Sequence, residues 1–441
     1  MKRLIAVSLC VMLCFFTGCD LTLSTIDNLI KPPKLSEEQN RIDTALKASV
    51  GDNISLVYPK TGDYKSAFIV ENIDEEETSE AIVFYKENSG SGTVRMNILD
   101  QQDEKWVSVW DNTTVNGSEI EKISFIKKDG RVYIVMGVNV TSANEKTLII
   151  YEYTERVLKQ VFTATCMNFE VYDLNDDGDE EIITISHTII SETKKENAAY
   201  MYSLKNGECT LLSQTAMDSE AASYAGIYKG RLAEDVPALY FDTQRGTDQY
   251  GTEILISVDN QLENPIQENK LGRKTLRYSG LSCMEDEDGV YSIPQTVILP
   301  GYSDQAVSEQ PYLIAWYQYD MEKRELVEQA TTYTNYSLGY SIRIPEEWLS
   351  GDAGQITAKR DTTNNELVFY VYHGDLKNES ETLLKIRVFP RSSLAQGTDL
   401  PYGYTLLGTN GQMVYAYNLK RTHTDFDLTH QEVTQLFTIM Q

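Results

Sequence analysis

One nine-residue stretch concentrates oxygen-bearing side chains at a spacing with chemical meaning: Asp173-Leu174-Asn175-Asp176-Asp177-Gly178-Asp179-Glu180-Glu181. Side-chain oxygens fall at positions 1, 3, 5 and 9 of the stretch, and Gly at position 6. Calcium takes six to eight hard oxygen ligands at about 2.3–2.6 Å, and a tight loop can supply them from alternate residues. Asp173, Asn175, Asp177 and Glu181 would offer side chains, Asp179 its backbone carbonyl, and Gly178 the sharp turn. A helix-flanked calcium loop would need a bidentate acid at position 12, where Thr184 stands, and the flanks here read as strands. The competing reading is a solvated acidic turn on an acidic protein. A calcium ion here would be structural, neutralising the turn and fixing the strands beside it.

A second segment lies over the first. Val70–Ile82 overlays Val171–Ile183 at an offset of 101, each reading as strand, acidic turn and apolar strand. Asn72, Asp74, Glu76 and Glu80 take the slots of the metal ligands. Glu77 replaces the Gly, so this second metal loop is the weaker one. The spacing resembles the FG-GAP/VCBS-type calcium loops found between blade strands of integrin-like propellers. That resemblance implies a propeller repeat with calcium in its intact loop.

No catalytic centre is expected. His187, His373, His423 and His430 form no metal-spaced pair. Ser191-Glu192-Thr193-Lys194 and Lys60-Thr61-Gly62 match two penicillin-binding motifs, but in reversed order and in a β setting. No phosphate-binding loop, dinucleotide fingerprint or Gly-x-Ser-x-Gly elbow occurs. Paired carboxylates for glycoside hydrolysis stay open, because such partners lie far apart in sequence. Cys166, Cys209 and Cys283 cannot all pair; they read as small buried hydrophobes, with a Cys166–Cys209 bridge as the alternative.

The elements that must hold these loops are strands. Between residues 51 and 333, runs rich in Val, Ile, Tyr and Phe are broken by Asp/Asn/Gly clusters. Further turns are expected at Lys128–Arg131, Tyr228–Arg231 and Glu285–Gly289. Turns then recur about every 50 residues, the length of a four-stranded propeller blade. The expected body is mainly β, a propeller-like repeat of about five four-stranded units. A pair of β-sandwiches is the alternative.

Residues 334–441 read as a small α+β domain. Strand runs at Tyr336–Ile344, Glu366–Tyr372, Leu383–Val388 and Gln412–Tyr417 precede a capping box at Thr429–Glu432. Val433, Leu436, Phe437 and Met440 follow at helical spacing. The stretch Tyr340-Ser341-Ile342-Arg343-Ile344-Pro345 through Trp348 resembles the opening of Mog1/PsbP-like domains. That resemblance implies a binding or adaptor module.

At the other end, Lys2 and Arg3 precede an apolar run from Leu4 to Phe16 that is too short to span a bilayer. The run closes in Phe16-Thr17-Gly18-Cys19, which resembles the lipobox of bacterial lipoproteins. The resemblance implies a signal segment over residues 1–19, cut just before Cys19, and a lipid on the Cys19 thiol. Residues 20–50 then form a tether and a short helix, capped by Ser36-Glu37-Glu38-Gln39 with Ile42, Ala45 and Leu46 on one face. Cleavage removes two basic residues and no acid, moving the net charge from −27 to −29. A surface this acidic repels nucleic acid and anionic headgroups and suits divalent cations.

Together these features predict a lipoprotein on the extracytoplasmic face of the cell membrane, acting as a non-enzymatic binding or scaffolding module for a protein or glycan ligand. A surface glycan hydrolase and a structural accessory of an envelope complex are the alternatives.

Overall fold

The computed structural model describes residues 35–440 apart from 75, 114–116, 140–144, 155, 192–193, 234, 279, 307–309, 351–354, 395–398 and 422–425. Cys19, the lipobox and most of the tether therefore lie outside the described residues, as do His423, Glu192 and Thr193.

The chain is mainly β, a propeller-like series of antiparallel sheets followed by a small α+β portion. Sheet I holds β1 (Ile54–Val57), β2 (Phe68–Glu71), β3 (Glu80–Glu87), β4 (Arg95–Gln102) and β5 (Lys105–Thr113), with β1 and β2 both on β3. Sheet II runs β6 (Glu119–Lys128), β7 (Arg131–Asn139), β8 (Lys146–Thr154) and β9 (Val157–Cys166). Sheet III runs β10 (Asn168–Tyr172), β11 (Glu181–Ser191), β12 (Lys194–Lys205) and β13 (Glu208–Met217). Sheet IV runs β14 (Ser223–Ala233), β15 (Val236–Arg245), β16 (Gln249–Val258) and β17 (Gln261–Glu263). Sheet V begins with β18 (Met284–Glu285), β19 (Tyr291–Ile298), β20 (Tyr312–Asp320) and β21 (Glu325–Asn335).

Side-chain alternation explains the stacking. On β3, Ile82 and Phe84 enter the core between sheets I and II, while Ala81, Val83 and Tyr85 face the other way. On β7, Val132, Ile134 and Met136 join that same core, and Tyr133 and Val135 face sheet III. On β15, Leu239 and Phe241 pack toward sheet III, and Ala238 and Tyr240 toward sheet V. Inner strands are thus buried on both faces, which is why they read as near-continuous apolar runs.

Each core joins one sheet to the next. The far face of sheet I is instead covered by α1 (Glu37–Val50), whose Ile42 and Leu46 pack on Ala81, Val83, Leu99 and Trp106. The capping box at Ser36 is formed, and Gly51 ends the helix at φ +88°. Short helices α2 (Pro265–Glu268) and α3 (Glu346–Ser350) fill connections, and α4 (His430–Leu436) opens on the capping box at Thr429.

Two expected elements are corrected. Tyr228–Arg231 is not a turn but lies inside β14. Gly230 is there for close approach: a Cβ would meet the Tyr291 ring at 2.6 Å and the Gly289 carbonyl at 2.8 Å. The C-terminal helix stops at Leu436, and Phe437–Ile439 becomes a strand, β28, beside β22 (Tyr340–Arg343). Phe437 there stacks on Tyr340, ring centroids 5.6 Å apart, so tertiary packing overrides the helical spacing.

Through β22 and β28, sheet V crosses the boundary expected at 333/334. Sheet VI closes the chain in the order β23 (Gln355–Asp361), β24 (Glu366–Tyr372), β25 (Thr382–Pro390), β27 (Met413–Leu419), β26 (Thr405–Asn410). Its core is shared with Leu313 and Tyr333 of sheet V and with Leu299 just past β19.

Candidate metal centre

The Asp173–Glu181 loop joins β10 to β11, the last residue of β10, Tyr172, pairing opposite the first of β11, Glu181. Val171 and Leu174 are anchored in flanking cores, so the loop between them stands on fixed ends. Asp176 and Gly178 take left-handed φ values of +59° and +91°. The reversal turns the loop's amides inward.

The side chains then hold those amides. Asp173 accepts from Asp177 N–H (3.2 Å) and Gly178 N–H (2.9 Å). Asn175 Oδ1 accepts from Asp177 N–H at 3.1 Å, and Asp177 accepts from Asp179 N–H at 2.9 Å. Glu181 is 2 % exposed, and its Oε2 accepts from Leu174 N–H at 3.0 Å. Burial raises the Glu181 carboxyl to about 7; the Leu174 amide opposes this, and the charges of Asp177 and Asp173 add to it. Neighbouring sheets reach the loop too. Lys128 of sheet II pairs with Asp179 at 2.8 Å, and Asn175 donates to Asn260 of sheet IV at 2.8 Å.

Asp173, Asn175, Asp177 and Glu181 are therefore gathered on one loop, while the Asp179 side chain is drawn off to Lys128. Among the described residues, no three His, Cys, Asp or Glu side chains are placed to hold a metal ion as they stand. The donor chemistry still suits calcium. A carboxylate has about four acceptor sites, so an amide bond orients it without exhausting it.

The matching loop of sheet I keeps the Glu and loses the turn. Ile73 N–H donates to Glu80 Oε2 at 2.9 Å, the counterpart of Leu174 and Glu181. Glu80 is fully buried and raised to about 7 by burial first, opposed by the Ile73 amide, with Asp74 and Asp100 adding to the rise. Asn72 has one acceptor oxygen where Asp173 accepts through two, and its side-chain amide donates to Glu76 O at 2.6 Å. Glu77 is not among the residues with positive φ, so the reversal made by Gly178 is lost.

Sequence reading had no signal for Lys128 and Asn260, which come from other sheets and reach the loop only through the stacking. The remaining candidates stay apart. His187 faces Glu145 at 3.6 Å, His373 faces Glu381 at 3.3 Å, and His430 bonds Tyr417 at 2.7 Å. Cys166, Cys209 and Cys283 are free, and burial pushes the Cys166 and Cys209 thiols up to about 12.

No protein-family model matches the chain, and no curated protein does. Solved structures do match. A protein from Lactobacillus plantarum covers 73% of this chain and 84% of its own at 6% identity and a TM-score of 0.30. An endo-arabinase from Bacteroides thetaiotaomicron covers 55% and 93% at 14% identity and 0.26. A hypothetical selenium-binding protein from Sulfolobus tokodaii covers 70% and 71% at 8% identity and 0.28. At such scores these likenesses carry no argument about this chain's activity.

Proposed function

We propose that the chain is a lipid-anchored, extracytoplasmic binding or scaffolding module whose third sheet is braced by calcium at Asp173–Glu181. The observation that supports the brace is the loop's own amide bonding, which orients Asp173, Asn175 and Asp177 before any ion arrives. Glu181 adds a buried carboxylate whose proton calcium would displace. The ion would link β10 to β11 and, through Asn175–Asn260, steady the junction with sheet IV. Its role is structural, and the ligand is taken elsewhere on the stacked sheets.

Thermal unfolding of the chain with calcium and with chelator tests this reading. A structural site filled at one hundred times its dissociation constant adds about 2.7 kcal/mol. Asp177→Ala should abolish the difference. Identical unfolding of the wild type in both buffers would defeat the calcium claim.

A further inference from the structure

Sheets V and VI meet at two hairpin turns, one joining β21 to β22 over residues 336–339 and one joining β23 to β24 over residues 362–365. A cavity of about 230 Å³ lies between them. Strand alternation decides which side chains enter it. On β23, Ile356 and Ala358 belong to the core shared with sheet V, so Arg360, two residues on, lies on that same face. Its register partner on β24, Leu367, is buried in that core. Asp361 and Glu366 also border the cavity, but they oppose one another in the register and so share the other face.

Those two carboxylates are engaged away from Arg360. Asp361 accepts from Thr363 N–H at 2.9 Å, from Asn364 N–H at 3.2 Å and from the Asn364 side-chain amide at 2.7 Å. Glu366 accepts from the Tyr404 hydroxyl and pairs with Lys385 at 3.7 Å. Arg360 itself has no ion-pair partner among the described residues, and it is exposed, so a solute can reach it. Across the cavity stand Tyr333 and Tyr340, 3 % and 1 % exposed. Burial raises both phenols, and the Arg360 charge opposes the rise in each, so the guanidinium is close to both rings' hydroxyl ends. Guanidinium N–H and phenolic O–H groups all donate, and together they converge on an acceptor that carries negative charge.

Size and charge select the occupant. A water's share of liquid volume is about 30 Å³, so the space is worth roughly seven waters and a bare inorganic ion underfills it. A single guanidinium balances a single negative charge, and its planar fork matches the two oxygens of a carboxylate. Leu338 and Leu367 supply apolar wall for the rest of the molecule. We propose that the cavity between sheets V and VI binds a small organic carboxylate, head group on Arg360 and the Tyr333 and Tyr340 hydroxyls, body against Leu338 and Leu367. This rests on the binding-module reading and supplies its ligand class. It does not depend on calcium.

Saturation-transfer NMR on the full chain tests it with benzoate, hexanoate and gluconate, each beside its carboxamide, and with inorganic phosphate as competitor. At least one carboxylate should give transfer, and its carboxamide should give at least tenfold less. Arg360 is exposed, so replacing it leaves the fold intact. Arg360→Gln should weaken binding tenfold or more, and Arg360→Lys should keep part of it, having the charge without the fork. Tyr333→Phe should weaken it severalfold, with circular dichroism unchanged. Lys359→Gln should change nothing, because Lys359 lies on the other face and pairs with Glu379 at 2.8 Å. No transfer from any of the three carboxylates, equal transfer from the carboxamides, or equal losses in Arg360→Gln and Lys359→Gln overturns the proposal. Displacement by equimolar phosphate overturns it in favour of an inorganic anion. Asp177→Ala should keep carboxylate binding while losing the calcium response. Carboxylate binding without a calcium response would defeat the brace alone, and a calcium response without carboxylate binding would defeat the cavity alone.

Discussion

Glu80, Glu181 and Glu253 are buried carboxyls, each raised to about 7, with burial the first cause in every case. Each binds its proton more tightly folded than unfolded, where a carboxyl titrates near 4.5. Their contribution to stability is therefore full below about pH 4.5 and is lost as the pH rises through 7. This is the reverse of an ion-paired aspartate. Glu80→Gln keeps an oxygen for the Ile73 amide and removes the titration. We expect the variant to exceed wild type at pH 8 by on the order of 2 kcal/mol, with the difference vanishing by about pH 5. Denaturant midpoints across that range check it, and a gap that widened toward low pH would contradict the assignment.

Among the elements, α1 occupies the place that a further sheet would take. Its Leu46 is fully buried against sheet I. In stacked repeats each unit contacts chiefly its neighbours, so end units need a cover and damage stays local. Leu46→Ala should cost about 2–5 kcal/mol. Hydrogen exchange should show lost protection at Ala81–Tyr85 and unchanged protection at Glu366–Tyr372. Equal loss at both would mean that the sheets unfold as one body. The strands of these sheets were legible because doubly buried strands leave long Val/Ile/Tyr runs between Gly and Asn turns. Glu366–Tyr372 is a strand to the residue. Gly230 misled because a glycine that admits the Tyr291 ring looks, in one sequence, like a glycine that turns. Phe437 misled because its partners, Tyr340 and Tyr415, lie far away in the chain. The acidic loop at Asp173–Glu181 was legible as a local motif. Its cross-sheet partners were not, because Lys128 and Asn260 belong to other sheets and reach it only through the stacking.

At the scale of the whole molecule, α1, which covers one end of the stack, is the first described element after the proposed anchor at Cys19 in the sequence. Cys19 to Ser36 spans 17 residues, a reach of at most about 60 Å when fully extended. With residues 1–19 removed, as proposed, the net charge would be −29; such a charge repels an anionic headgroup surface, and that repulsion fades within about 8 Å at physiological salt. The proposed tether would be longer than the repulsion reaches, so the body could stand clear of a bilayer that holds the proposed anchor. No described helix is long and apolar enough to cross a membrane. The two or three acyl chains of a lipoprotein suffice where a single one binds only marginally. Cys19→Ala should therefore move the protein from the membrane to the soluble fraction without changing its unfolding midpoint. Proteolysis within residues 20–34 of the anchored form should release the same folded body. Retention of the Cys19→Ala protein after a high-salt wash would show that something other than the lipid holds it.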